Sequence, residues 1–210
     1  MTTQRFSTQQ IFVTLLFTCV AIMTSVFVYY STHKAIEKNL QSENAYIFAA
    51  PRDIKPFELT STNDEKISPK FFFNNWTLLF FGFTHCENIC PTSLNLLNRV
   101  YTQMHPNFPN LQVLFVSLDP VRDNKKTLAS YTQSFNENFV AASGKIEDLR
   151  KLQSQLGIFS STADTTATNF QIQHSASIIL VDPKGQWRGI FKTEIKPDEM
   201  QKILKDVMSS

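Results

Sequence analysis

Cysteine is scarce in this chain: three residues in 210, and only two of them beyond residue 19. A disulfide-stapled scaffold is therefore excluded, because such folds need several cysteines to replace a core. Glycine is also scarce, with five residues, while phenylalanine is abundant, with nineteen. That balance points to a dense aromatic core and away from a loop-rich protein. An excess of charge of one sign is missing: the formal net charge is +2, so nothing directs the chain to nucleic acid or to a strongly acidic partner. There are no internal repeats and no low-complexity tracts.

The most telling absence is local. No residue from Phe6 to Thr32 is charged, and Ile11 to Tyr30 is apolar apart from Thr, Ser and Cys19. Twenty helical residues span about 30 Å, the thickness of a bilayer's hydrocarbon core. Tyr29 and Tyr30 stand where an interfacial aromatic belt would lie. A cleaved signal peptide has a shorter apolar region ending in a small-x-small site, and Ser25 to Tyr30 offers no such site. The run also lacks the polar face of a helix packed on a soluble domain. The reading is an uncleaved anchor over residues 11–30 behind a short tail, 1–10. Arg5 on one side and Lys34 and Lys38 on the other barely determine orientation. The leader is not Arg-rich, which argues against a mitochondrial transit peptide. An anchor ahead of one compact domain serves to export it, so the expected location is a bacterial inner membrane, single-pass, with the domain on the periplasmic side.

Residues 31–56 have mixed charge, two prolines and no sustained period, and read as a tether, although a helix continuing through Glu37 to Asn44 fits as well. Residues 57–210 alternate between two patterns. Trp76 to Phe83 and Leu111 to Leu118 are continuous apolar runs, suited to strands buried on both faces. Between them Leu94, Leu97, Val100, Tyr101 and Met104 recur at helical spacing, with Pro91 available to open the helix. A helix over Thr127–Phe135, a short strand over Phe139–Ala142 and a helix over Ile146–Leu156 follow. Gly157 stops the last of these. Ser175–Val181 and Gln186–Lys192 flank the turn Asp182-Pro183-Lys184-Gly185, and Pro197-Asp198-Glu199 starts a final helix. A βαβ opening, a terminal hairpin and a closing helix predict a thioredoxin-like α/β sandwich behind a transmembrane helix.

The chemistry concentrates in Cys86 and Cys90, between the first buried strand and the helix that follows. With Pro91 opening that helix, Cys90 falls near its N-cap, and both sulfurs face the positive end of the dipole. That favours thiolates, which metal binding and disulfide exchange both require. Side chains four apart on a helix have Cβ atoms about 5–6 Å apart, wider than the roughly 3.5–4.5 Å of a disulfide. The spacing therefore leans toward a metal and leaves a reducible disulfide open. Two inert buried cysteines are the bland alternative. Three imidazoles could complete a soft-metal site: His85, His105 and His174. His85 is tethered beside Cys86 and points to solvent on this reading, and His105 looks like a helix-end cap. His174 precedes a strand, and the residues alone leave its role open.

Three blocks in order carry a family resemblance. They are Phe81-Gly82-Phe83-Thr84-His85-Cys86 through Cys90-Pro91, then Val116-Ser117-Leu118-Asp119-Pro120-Val121-Arg122-Asp123, then His174-Ser175 leading to Ile178-Ile179-Leu180-Val181-Asp182-Pro183-Lys184-Gly185. Together they resemble the Sco/SenC family of membrane-anchored copper proteins of cytochrome c oxidase assembly, over roughly Phe57 to Val207. The resemblance implies one copper, Cu(I) or Cu(II), held by Cys86, Cys90 and His174. It implies a copper chaperone for the CuA centre of oxidase subunit II, with Cys86 and Cys90 as a possible redox pair. A thiol-disulfide oxidoreductase serving the oxidase's cysteines, a copper or redox sensor, and a peroxiredoxin-type peroxidase are the other readings. The family commonly has Pro-Asp after the first cysteine and Asp before the histidine. Here Glu87-Asn88 and Gln173 stand in those places, where they can tune affinity or potential. Asp119 matches a family position and reads first as a strand-end turn residue.

Overall fold

The computed structural model describes residues 8–39, 41–162 and 172–209. In chain order the elements are α1 (Thr8–Asn39), β1 (Gln41–Ser42), β2 (Ala45–Asp53), β3 (Leu59–Ser61), β4 (Lys66–Ile67), a 3-10 turn (Pro69–Phe72) and β5 (Trp76–Gly82). Then come α2 (Ile89–Met104), β6 (Leu111–Ser117), α3 (Lys125–Gln133), β7 (Val140–Ser143), α4 (Ile146–Gln155), β8 (Ser160–Thr162), β9 (Ile172–His174), β10 (Ser177–Val181), β11 (Gln186–Lys192) and α5 (Pro197–Met208).

α1 forms a unit of its own. Its stretch Val13–Tyr30 has a mean hydropathy of 2.0 and is exposed throughout. The hydroxyls of Thr18 and Thr24 donate to the carbonyls of Leu15 and Ala21, both at 2.9 Å. Internal pairing of this kind is what an apolar surround demands of a polar group. By length and composition this is a helix able to cross a membrane.

The second unit is built on one sheet, ordered β1-β2-β11-β10-β5-β6-β7-β3-β4. β5, β6 and β7 run parallel, and the pairing of β10 with β5 and with β11 is antiparallel. Strand alternation sorts the apolar runs onto two faces. Leu78, Phe80, Val113 and Phe115 pack with Leu94, Leu97 and Val100 of α2, Leu128 of α3, and Ile203 and Leu204 of α5. Leu79, Phe81, Leu114 and Val116 pack on the other side with Leu149 and Leu152 of α4 and with Phe72 of the 3-10 turn. Phe80, Phe81 and Phe115 are fully buried, each contributing about 1.5–3 kcal/mol of transfer free energy. Helices on both faces of a sheet whose parallel centre is extended by an antiparallel hairpin make the predicted thioredoxin-like sandwich.

Two differences from the sequence reading have clear causes. Ala45–Asp53 lies inside the stretch read as a tether, yet it is a strand paired with β11 and burying Ala45, Ile47 and Phe48. Pro51, Arg52 and Asp53 hid its period, and the ladder itself is irregular between Trp187 and Gly189. The strand expected from Ser175 begins at Ser177, and His174 instead closes β9, which pairs with β8. The sheet thus needs residues before Phe57. A chain beginning at Phe57 would lose Phe48, whose ring meets Trp187 edge-to-face at 4.8 Å, and would lose the burial of Ile47 as well. Its thermal midpoint should lie well below that of a chain beginning at Gln41. Equal midpoints would show that β2 contributes nothing to the domain.

Candidate metal and redox site

β5 and β6 stay in parallel register over seven residue pairs, from Trp76–Leu111 to Gly82–Ser117. Both strands therefore end at the same level, and the loops after them meet. The loop after β5 carries Thr84, His85 and Cys86, and α2 opens with Asn88 as N-cap. Cys90 is thus the second residue inside the helix, two places further in than a helix opened by Pro91 would put it. Pro91 sits in the first turn, where its missing N–H has no helical carbonyl to satisfy in any case. The Asn88 side chain makes no capping bond. The Cys86 sulfur takes that part, accepting from the Cys90 backbone N–H at 3.4 Å. Cys86 is half-buried, and its sulfur sits at the electropositive end of α2.

Cys90 is fully buried. A Cβ built on Gly82 would lie 2.7 Å from its sulfur and 2.7 Å from a ring atom of Phe115, so only glycine at the end of β5 lets that sulfur sit there. Sequence reasoning passed over Gly82. Its signal was a lone glycine in an otherwise apolar strand, which often marks close approach of another group. Burial, and next the Cys86 side chain, push the Cys90 thiol far above the usual cysteine range. This corrects the expectation that the helix end would favour thiolates at both positions: at Cys90 desolvation wins. Both cysteines are free thiols.

The second block of the sequence braces this loop. Asp123 is buried, and its carboxylate accepts from the Thr84 backbone N–H at 3.0 Å, the Thr84 hydroxyl at 2.5 Å and the Ser117 hydroxyl at 2.6 Å. Asp119 is a strand-end turn residue, as expected: it accepts from the Arg122 backbone N–H at 3.2 Å and pairs with the Arg122 guanidinium. His85 is exposed, with Nδ1 3.1 Å from the Thr84 hydroxyl and 3.7 Å from Asp123. Ligand-capable atoms of His85, Asp119 and Asp123 lie within 4.8 Å of one another. Donors from the chain already engage both carboxylates, so the group acts as a brace. His105 is the C-cap of α2, with its backbone N–H on the Tyr101 carbonyl at 2.8 Å and its ring stacked on Tyr101. His174 pairs with Ser160 through the backbone, and its side chain lies outside the described residues.

Two sulfurs, one capping the first turn of a helix and one buried beneath it, suit a soft metal ion or disulfide chemistry. Fold and site together define a thioredoxin-like domain with a two-thiol centre at the first strand-to-helix junction of its βαβ core. The SCO1/SenC family profile matches residues 49–209, and the chain belongs to that family. It is 31% identical over 179 residues to a Stutzerimonas stutzeri protein named for copper binding, covering 84% of this chain and 88% of that one. It is similar to the structure of Bradyrhizobium japonicum ScoI with copper bound, at 30% identity and a TM-score of 0.66, over 73% of this chain and 98% of that one. BsSco, described with a disulfide switch and as a member of the Sco family of cytochrome c oxidase assembly proteins, superposes with a TM-score of 0.59 at 19% identity, over 75% of this chain and 97% of that one, a likeness of fold.

The asymmetry of the two thiols is measurable. In the metal-free protein iodoacetamide should modify Cys86 well before Cys90, because Cys86 is accessible while burial shields Cys90 and holds its thiol protonated. Peptide mass spectrometry over a time course checks this, and modification of Cys90 first would refute the burial assignment.

Proposed function

We propose that this chain is a membrane-tethered copper chaperone whose cargo is held by Cys86, Cys90 and His174 and passed to the CuA centre of cytochrome c oxidase subunit II. The observation that carries the reading is the pair of cysteines at the start of α2, not joined in a disulfide and linked by the Cys90 N–H to Cys86 sulfur contact. Soft thiolates with one imidazole suit Cu(I) in a three-coordinate site. Two thiolates around Cu(I) carry a net charge of −1, which the helix N-terminus partly offsets. Family membership and the copper-named relatives support the same cargo. α1 would anchor the chain in a bacterial inner membrane through residues 11–30, with the copper domain on the periplasmic side. The stretch Val13–Tyr30 supports the span.

Thiol-disulfide exchange is the second reading, favoured by the pairing of one half-buried and one buried free thiol. The two activities exclude each other at any moment, since a Cys86–Cys90 disulfide removes both sulfur ligands. Titration of the reduced domain with Cu(I) against a chromophoric chelator tests the proposal. One equivalent should bind tightly. Cys86→Ser and Cys90→Ser should each abolish tight binding, and His174→Ala should weaken it. The fully oxidised domain should bind none. Because Cu(I) displaces the Cys90 proton, apparent affinity should rise with pH by about tenfold per unit for each proton displaced, at least one, and fall as the pH is lowered. Tight stoichiometric Cu(I) retention by the oxidised protein would overturn the ligand assignment.

A further inference from the structure

Tyr131 of α3 packs against the same core cluster as the two thiols. Tyr131 packs its ring on Phe115, with centroids 5.9 Å apart, and on Phe135, at 5.2 Å. Phe115 and the Cys90 sulfur both crowd the space over Gly82. Cys86 and Tyr131 both lie against the core cluster that contains Cys90 and Phe115. The Tyr131 hydroxyl is buried and has no hydrogen-bond partner among the described residues. A buried hydroxyl without a partner is costly, and it invites an explanation. Burial, then the charges of Cys90, Cys86 and Asp123, hold its phenol well above the usual tyrosine range, so the group remains a donor.

The metal-loaded state supplies an acceptor. When Cu(I) enters, each thiol proton leaves to solvent and each sulfur becomes a metal-bound thiolate. Resting on the copper reading above, we propose that Tyr131 is a positioning residue whose hydroxyl donates a hydrogen bond to a thiolate sulfur of the Cys86–Cys90 pair in the copper-loaded protein. Such a bond stabilises the anionic ligand set. It also withdraws density from sulfur, a lever that tunes copper-thiolate centres. Tyr131 belongs to none of the three sequence blocks that carried the resemblance.

The test compares wild type with Tyr131→Phe, which keeps the ring and removes the hydroxyl. In the metal-free form the variant should melt at the same temperature as wild type or above it. Its Cu(I) affinity, by competition with a chromophoric chelator, should fall by about tenfold, the loss of one hydrogen bond to a charged group. The sulfur-to-Cu(II) charge-transfer band should move to longer wavelength. Phe135→Leu, which disturbs the packing of the same ring but keeps the hydroxyl, should leave that band at the wild-type position. A lower melting temperature for metal-free Tyr131→Phe would show that the hydroxyl already has a partner in the fold and would overturn the inference. So would equal Cu(I) affinity with an unmoved band, or the same band shift in Phe135→Leu. Failure of wild type itself to bind Cu(I) would instead overturn the copper reading, and the inference with it.

Discussion

The site depends on one buried carboxylate. Asp123 lies just after β6, yet it holds the loop after β5, through the backbone N–H and hydroxyl of Thr84, while also accepting from Ser117. Parallel pairing brings the two strand ends to the same level, and it does no more than that. A loop of five residues between Gly82 and Asn88 could take many paths over the end of a sheet. Fixing Thr84 sets where His85 and Cys86 leave the strand, and so where the Cys86 sulfur meets the first turn of α2. A buried anion is tolerated here because several donors surround it. Removing them singly would leave charge without compensation, which costs more than the bonds contribute.

The two sulfurs then experience opposite physics. Cys86 occupies a capping position, where the helix field favours an anion and solvent has access. Cys90, four residues on, lies under the first turn against Gly82 and Phe115, where burial disfavours any unpaired charge. The helix end contributes at most about 2 kcal/mol. Desolvation of a buried group shifts a pKa by up to 3–5 units, which is larger, so the buried thiol stays protonated until something replaces the proton. A bound metal ion is such a replacement, because it supplies positive charge at the place where burial had excluded it.

Much of this could be read from residue types. The strands β5, β6 and β10 announce themselves as apolar runs, and α2 and α5 by their helical spacing, because each buries a wide apolar surface. β2 could not be read that way, since only its first half is buried and Pro51, Arg52 and Asp53 break the pattern. β3 and β4 are too short to show a period. The cysteines stood out by their rarity. Gly82, Asp123 and Tyr131 did not, because their contributions depend on which residues lie across from them. A buried carboxylate looks like any aspartate in a sequence, and a tyrosine with a buried, unpartnered hydroxyl looks like a core aromatic. Desolvation at Cys90 was hidden for the same reason: spacing locates a residue on a helix turn but does not say what lies beneath it.

The inequality of the two thiols constrains how cargo could pass through the proposed site. An incoming thiolate must displace a ligand from a position it can reach, and only Cys86 is partly exposed. Exchange would therefore begin at Cys86 and leave the ion attached to Cys90 until last. Once released, Cys90 returns to an apolar setting in which a lone thiolate is unfavourable, so it must regain a proton or join Cys86 in a disulfide. Either outcome ends its affinity for the ion. The burial that slows metal-free ionisation of Cys90 thus also drives the last step of release, and a site with two equally exposed sulfurs would have no such direction.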